Sequence, residues 1–423
     1  MGSVSMANTS RRVLVVGAGP AGGSTAFWLA QSGFDVVVAE RQSKDTFAQG
    51  QGVDISGPAV RVIQKMGLEQ KIRSGTTGEA GFALTDDDGE AVGVVGTKSS
   101  EGKGWSPTEE IEIMRGSLCS ILTGAAEASP TVTYRYSCSP SQITQNQASV
   151  TAILSDTGEA EDFACIIGAD GLSSSVRHLT FDKAVVGDCY SRNDVYIAFF
   201  SMPGNPETDL PNSRAQQAPG GRTILLRPAD EKAERTSCYM CIIHEDARLA
   251  DVAENGTVDE QRALWGEWFQ DMGGLAERAL EGLKQTQDLY ATRIVQVKLP
   301  TWHSARCALV GDAGYGPSPL TGEGTTLALL GAYILAGELA ATPDDPPAAF
   351  ARYEDTLRDY VTKAQRIPLG GKAPQIGNPQ SYAGVYTLRT LFKIVSWTGI
   401  WKLFGSGNEQ EAYKLPEYDF SVG

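Results

Sequence analysis

Two short hydrophobic runs near the N-terminus, separated by glycines and a helical stretch, form the clearest pattern in the chain. Residues 13–16 and 36–39 are continuous apolar runs, as expected of strands buried on both faces. Between them lie a glycine-rich turn at 17–22 and a helical pattern at 24–31. This order predicts a strand, a tight turn, a helix and a second, parallel strand.

Other periodic segments extend the prediction along the chain. Apolar runs predict strands near 131–137, 148–155, 162–168 and 308–310, and helical patterns cover 59–66, 114 to about 127, and 325 to about 339. Between 186 and 290 the runs alternate in polarity, which predicts an antiparallel sheet. The fold class is therefore predicted as α/β, a Rossmann-like domain with an inserted antiparallel-sheet domain and C-terminal helices.

The glycine turn has the spacing of a dinucleotide-binding motif. Gly17 permits the tight turn, Gly19 lets the backbone approach a pyrophosphate, and Gly22 lets the helix pack closely on the strand. The free N–H groups at the helix start attract phosphate. Glu40, after the second strand, is placed to accept a hydrogen bond from a ribose 2′-hydroxyl, which favours FAD or NAD over NADP.

Composition narrows the class of protein. The 423 residues carry a formal net charge of −15, which argues against nucleic acid partners and makes contact with an anionic membrane unfavourable. The first twelve residues lack an apolar core, so we expect no signal peptide and a cytoplasmic protein. Seven cysteines suggest no disulfide framework, and Cys238 and Cys241 are expected on opposite faces of a strand. Three scattered histidines predict no metal site.

Two later segments repeat the pattern of a strand that turns into a helix. Asp170 and Arg177 lie in the segment 168–177, and Asp312 follows the strand at 308–310. Asp312 precedes a second glycine-rich helix start at 322–325. A carboxylate at the end of a strand is well placed to bind a sugar-alcohol chain, and the helix start can bind an electronegative group.

Together the three segments resemble the FAD-dependent monooxygenases of the para-hydroxybenzoate hydroxylase type, the class A flavoproteins that include aromatic hydroxylases and tetracycline-degrading enzymes. They match G-x-G-x-x-G at 17–22, D-G-x-x-S-x-V-R at 170–177 and G-D-A…P…G-x-G at 311–324. The resemblance covers residues 12–185 and 290–340 closely. It departs at Tyr315, where many members carry histidine.

The resemblance implies a division into domains and a set of cofactor contacts. The expected units are an FAD-binding domain at 12–75, 105–185 and 290–345, a substrate-binding domain at 76–104 and 186–289, and a C-terminal helical region at 346–423. Glu40 is expected on the adenosine ribose, Arg115 on the FAD, Asp312 on the ribityl chain and Pro319 near the isoalloxazine. The full expected set is Gly17, Gly19, Pro20, Ala21, Gly22, Glu40, Arg41, Val53, Arg115, Asp170, Arg177, Asp312, Pro319, Gly322, Gly324 and Thr325.

Structural alternatives remain open for three of these residues. Arg115 could be a surface cation at a helix start, Arg177 an ion-pair partner and Asp170 a helix cap.

The resemblance also implies a reaction. NADH or NADPH reduces the FAD, dioxygen adds at the flavin C4a carbon, and the resulting C4a-hydroperoxyflavin gives one oxygen atom to a small aromatic, polyketide-like or other secondary-metabolite substrate. Only one G-x-G-x-x-G is present, so the nicotinamide is expected to bind transiently. A flavin-dependent halogenase, a double-bond reductase and a non-catalytic flavoprotein remain alternatives.

Two regions are predicted without a matching motif. Arg192, Tyr196, Arg222 and Tyr239, in the alternating segment, are candidates to orient the substrate. Residues 385–404 are apolar and aromatic, with Trp397 and Trp401 four apart on one predicted helical face. This segment is interpreted as a docked C-terminal helix, a substrate lid or an interfacial membrane helix.

Overall fold

A computed structural model describes residues 11–46, 50–96, 111–367, 369–402 and 413–421. Expectations that involve other residues, such as parts of 97–110 and 403–412, lie outside the described chain. The strands are β1 (Arg12–Val16), β2 (Asp35–Glu40), β3 (Gly52–Ile55), β4 (Gly81–Thr85), β5 (Ala91–Gly96), β6 (Ile111–Met114), β7 (Val132–Tyr136), β8 (Pro140–Gln145), β9 (Val150–Leu154), β10 (Ala160–Phe163), β11 (Cys165–Gly168), β12 (Tyr190–Pro203), β13 (Asn212–Ala218), β14 (Arg222–Pro228), β15 (Arg235–Ile243), β16 (Tyr290–Val297), β17 (His303–Ser304) and β18 (Cys307–Leu309).

The helices lie between and after these strands. They are α1 (Pro20–Gln31), α2 (Pro58–Lys65), α3 (Glu69–Arg73), α4 (Arg115–Glu127), α5 (Ser175–Thr180), α6 (Lys183–Asp188), α7 (Pro206–Asp209), α8 (Ala247–Asn255), α9 (Val258–Phe269), α10 (Leu275–Gln285), α11 (Asp312–Tyr315), α12 (Gly324–Ala341), α13 (Pro346–Ala364), α14 (Ala373–Gly377) and α15 (Tyr382–Thr398).

One of the two large sheets has six strands, in the order β17-β18-β11-β1-β2-β7. β1 pairs in parallel with β2 on one side and β11 on the other, so the two apolar runs predicted from the sequence are central and buried. α1, α4 and α12 pack together beside this sheet. This arrangement brings the ends of β1, β11 and β18, from which the three motifs leave, to one edge of the sheet.

The other large sheet has seven strands, in the order β16-β12-β15-β14-β13-β4-β5. α8, α9 and α10 cover one face, where Trp265 and Phe269 are fully buried. The other face carries a smaller apolar cluster against which Leu320 of the third motif packs. β16 belongs to this sheet, although the predicted boundary at 290 placed it in the FAD-binding domain.

α12 is apolar over most of its surface, and most of its residues are buried. It packs against α1, α2 and α13. Among the described helices, it alone is long and apolar enough to span a membrane, and 78% of that stretch is buried inside the protein. Core packing therefore accounts for its composition.

The C-terminal region divides into three parts. α13 packs on α12, and residues 413–421 return to α12 without helical structure, where the Tyr418 hydroxyl donates to Glu338 Oε1 at 2.7 Å. α15 lies along β5, with the Ser396 hydroxyl donating to the Val94 carbonyl at 2.7 Å. The placement of Trp397 and Trp401 on one helical face was wrong, because α15 ends at Thr398 and Gly399 adopts a left-handed conformation.

α15 is therefore a docked helix on the edge of the seven-stranded sheet. Its outer side remains apolar and exposed, with Tyr382, Tyr386 and Trp397 at 77%, 75% and 87% exposure. Roles as a substrate lid or an interfacial helix stay predictions.

Candidate functional site

The first glycine turn can be built only from glycine at two positions. Gly17 has a φ of +101°, and a Cβ there would lie 2.5 Å from the carbonyl oxygen of Ala169. A Cβ on Gly22 would lie 1.8 Å from the carbonyl oxygen of Gly17. Within the described chain, no side chain caps the start of α1 and no acid lies in its first turn. Its leading N–H groups are thus available to an anion such as a pyrophosphate.

Glu40 ties the end of β2 to this turn. Its Oε2 accepts the Ala18 N–H at 2.8 Å and its Oε1 accepts the Gln42 N–H at 2.9 Å. The side chain is 9% exposed. Each carboxylate oxygen has a second lone pair, so Glu40 is held in place and can still accept a ribose hydroxyl. Arg41, the next residue, is exposed.

Arg115 lies between the first and third motifs. It begins α4, and its backbone N–H donates to the Gln51 carbonyl at 2.9 Å. Its guanidinium lies against the glycine turn, because a Cβ built on Gly19 would be 3.4 Å from Arg115 Nη2. It is also close enough to Asp312 to lower the pKa of that carboxyl, which burial raises.

Asp312 has an unusual combination of surroundings. Protein encloses it enough for burial to raise its pKa, and yet the residue keeps a large accessible surface. A carboxylate that is enclosed by protein and can still be reached from solvent lies in a cleft. Asp312 therefore fits its expected role on the hydroxyl-bearing chain of a cofactor.

The third motif ends in a second open helix start. Gly322 adopts a left-handed conformation with a φ of +69°, and α12 begins two residues later at Gly324. A Cβ on either glycine would meet nothing within 4 Å, and no described side chain caps this helix. Within the described chain, the N–H groups at the start of α12, including that of the buried Thr325, have no side-chain cap, and Pro319 is exposed nearby. These residues fit an electron-rich ring system.

The second motif positions other parts of the site. Asp170 Oδ2 accepts the Ser175 N–H at 2.6 Å and the Val176 N–H at 3.1 Å, so this carboxylate caps α5. Its Oδ1 is buried and has no hydrogen-bond partner among the described residues. The N-cap position itself is Ser174, so Asp170 supports the helix start from outside it, with one oxygen still unsatisfied.

Arg177 joins the second motif to the third. Its Nη1 donates to the Ala313 carbonyl at 2.6 Å and its Nη2 donates to the Leu172 carbonyl at 2.6 Å. The side chain is fully buried. Arg177 therefore fixes the backbone beside Asp312, and its expected contact with the cofactor stays a prediction.

Tyr239 is the one predicted substrate residue that the structure places on the face of the seven-stranded sheet opposite the helices. Its ring packs edge-on against Phe199, with centroids 5.2 Å apart. Its hydroxyl accepts the Gly52 N–H at 3.2 Å, beside Val53 of β3. Tyr239 therefore reaches the ribbon of β3 and β6, next to Arg115.

The other three candidate substrate residues lie away from the face that carries Tyr239. Tyr196 is fully buried on the face covered by helices, and Arg222 donates to the Trp268 carbonyl at 2.6 Å on that same side. Arg192 is exposed and pairs with Glu254 of α8 at 3.5 Å. Alternation in the sequence separates the two faces of a strand, but it does not show which face the helices cover.

A buried ionic cluster that the sequence did not reveal lies beside Tyr239. Arg227 Nε is 2.9 Å from Glu79, and its Nη2 is 2.5 Å from Glu112 and 3.9 Å from Asp54. Glu79 and Glu112 are 2% and 4% exposed. Four segments far apart in the sequence supply these groups, so only the fold brings them together.

Burial dominates the electrostatics of this cluster. It raises the pKa of Glu112 well above the ordinary value and raises that of Asp54, while Arg227 opposes both shifts and Glu79 reinforces them. One guanidinium cannot neutralise three carboxylates in a low-dielectric site. The cluster therefore favours the protonated form of Glu112 more than water does.

Comparison with known proteins agrees with this geometry. Residues 10–366 match the family model described as an FAD binding domain. Monooxygenase CTB7 of Cercospora beticola is 53% identical over 417 residues, 98% of this chain and 99% of that protein. FAD-dependent monooxygenase asL6 of Sarocladium schorii is 32% identical over 424 residues, 96% and 98% of the two chains. The crystal structure of tetracycline destructase Tet(55) superimposes on this protein with a TM-score of 0.77. The two sequences are 28% identical, and the match covers 98% of this chain and 100% of that one.

The family match covers most of the chain, and both relatives align along nearly their full length. These findings confirm the resemblance predicted from the three motifs, the α/β fold and FAD as the cofactor. The chain belongs to the FAD-binding-domain family of flavin-dependent monooxygenases.

Proposed function

We propose that the protein uses NADH or NADPH and dioxygen to insert one oxygen atom into a small aromatic or polyketide-like secondary metabolite. The observation that carries the proposal is the meeting of Gly19, Arg115 and Asp312 between the open starts of α1 and α12. When bound, FAD supplies the chemistry, since it can accept a hydride and activate dioxygen.

The residues of the chain hold this cofactor along its length. The N–H groups of α1 bind the pyrophosphate, Glu40 accepts the ribose hydroxyl, and Asp312 accepts hydroxyls of the ribityl chain. Arg115 adds a positive charge beside the phosphates. The N–H groups at the start of α12 stabilise negative charge on the reduced ring system.

The seven-stranded sheet supplies the other wall of the reaction site. Phe199 and Tyr239 present an aromatic surface, and Leu320 links that surface to the loop of the third motif. Such a wall excludes water and packs against a flat substrate. The likeness to a tetracycline destructase supports a polycyclic, oxygen-rich substrate.

The state of the cysteines is compatible with an intracellular enzyme. All seven cysteines are free, which supports our expectation of a reducing, cytoplasmic environment.

The test is oxidation of NADH or NADPH by the purified FAD-loaded protein with a panel of phenolic and polyketide compounds under ¹⁸O-labelled dioxygen. A compound that accelerates oxidation and gains one labelled oxygen atom supports the proposal. A product that gains two hydrogens and no label identifies a reductase instead. Retained flavin with no reductant consumed across the panel contradicts the proposal and favours a non-catalytic flavoprotein.

A further inference from the structure

A polar cavity lies outside the site described above. It has a volume of about 490 Å³ and lies between the start of β12, the end of β16 and the end of α13. Lys298 and Arg366 line it, and no carboxylate does so among the described residues. In a chain with a net charge of −15, a cavity with two cations and no acid is a local exception.

The two cations have fixed backbones and free side chains. The Lys298 N–H donates to the Cys189 carbonyl at 2.8 Å, and the Arg366 N–H donates to the Lys363 carbonyl at 3.0 Å. Both side chains are exposed, and neither forms an ion pair or side-chain hydrogen bond with the described residues. By contrast, nearby Arg358 pairs with Glu354. The cavity therefore presents two positive charges without partners.

One wall of the cavity is also the support of the third motif. Gln296 Nε2 donates to the Pro317 carbonyl at 2.7 Å and to the Gln365 carbonyl at 2.8 Å. Gln365 Nε2 donates to the Tyr315 carbonyl at 3.1 Å. A ligand in the cavity would thus lie one layer of side chains from the loop between Asp312 and Pro319.

We propose that this cavity binds the phosphates of the nicotinamide nucleotide that reduces the protein. The inference rests on the proposed function, which needs a reductant, and the sequence has a single G-x-G-x-x-G, which FAD occupies. Arg366 suits a bidentate phosphate contact, Lys298 adds a point charge, and the amide of Asn193 suits a ribose hydroxyl. The volume falls within the range of about 300–1,000 Å³ usual for ligand pockets.

The test measures nucleotide binding apart from turnover. Calorimetry gives the Kd of the FAD-loaded protein for adenosine 2′,5′-bisphosphate and ADP-ribose, which carry the phosphates but cannot reduce flavin. Lys298→Gln and Arg366→Gln are each expected to weaken binding about tenfold, as for the loss of one charge-assisted contact, and the double variant more. Binding by the double variant is also expected to depend less on salt.

Steady-state kinetics supply the second measurement. The double variant is expected to raise the KM for NADH or NADPH while kcat at saturation and FAD content stay near wild type. Lys363→Gln is the matched control, because Lys363 is an exposed lysine in the last turn of α13, three residues before Arg366, and does not line the cavity. Its Kd and KM values are expected to remain unchanged.

Three results would overturn the inference. The first is a double variant whose Kd for both nucleotide fragments equals that of the control. The second is a rise in KM that is confined to an acidic substrate, which would assign the cavity to that anion. The third is a wild-type protein that binds neither fragment. A wild type that binds the fragments but never oxidises nicotinamide would instead remove the proposed function and leave the phosphate site standing.

Discussion

Arg227→Met removes the guanidinium from the buried carboxylate cluster and is expected to destabilise the protein by about 3–5 kcal/mol, the cost of breaking a buried ion pair. Glu79 and Glu112 are almost inaccessible, so water cannot replace the lost charge. Burial raises the pKa of Glu112 and Arg227 opposes that shift, so loss of the guanidinium should raise this pKa further.

The assay is urea unfolding of the FAD-loaded protein at neutral pH, followed by circular dichroism and flavin fluorescence. Arg248→Met is the control, because Arg248 pairs with Glu267 on the surface and its loss should change stability little. A loss below about 1 kcal/mol for Arg227→Met, the range of exposed pairs, would show that the cluster is hydrated and would refute the reasoning.

Three further predictions follow from the site. Glu112→Gln should flatten the pH dependence of stability: a raised pKa means that the folded state holds this proton more tightly, so stability falls as pH rises above about 4.3 toward the raised value, and the amide cannot titrate. Unfolding midpoints across pH measure this, and an unchanged slope contradicts it. Gly22→Ala should abolish FAD retention, since its Cβ would overlap the Gly17 carbonyl, whereas Gly124→Ala, in open space, should retain the flavin spectrum. Tyr239→Phe should lower turnover severalfold through the lost contact to β3, while Tyr196→Phe, on the helix-covered face, should not; equal activities would contradict the assignment of faces.

The local pattern of apolar residues and glycines was enough to predict the first strand, the glycine turn and the helix that follows it. The strand, glycine turn and helix were predicted at 13–16, 17–22 and 24–31, and the structure has β1 at Arg12–Val16 and α1 at Pro20–Gln31. The prediction succeeds because the motif is contiguous in the sequence, and because steric crowding requires glycine at these positions whatever the rest of the fold.

The orientation of residues on the seven-stranded sheet could not be predicted in the same way. Tyr196 and Tyr239 lie in similar alternating runs, and their opposite orientations depend on where α8, α9 and α10 pack. The ion cluster needs Asp54 and Arg227, which are distant in the sequence, to meet across the β3 and β6 ribbon. Pairings of this kind come from the tertiary fold and leave no periodic signal.

The seven-stranded sheet separates two kinds of position along each strand. On β14 and β15, Leu225 and Tyr239 alternate with Ile224, Leu226 and Met240, which belong to the core beneath the helices. A change at Leu225 or Tyr239 alters the face opposite the helices and leaves the helix-covered core intact. Because we propose that the substrate binds on that face, every second residue of these strands is a position at which a designer can vary the substrate, with the intervening residues kept as scaffold.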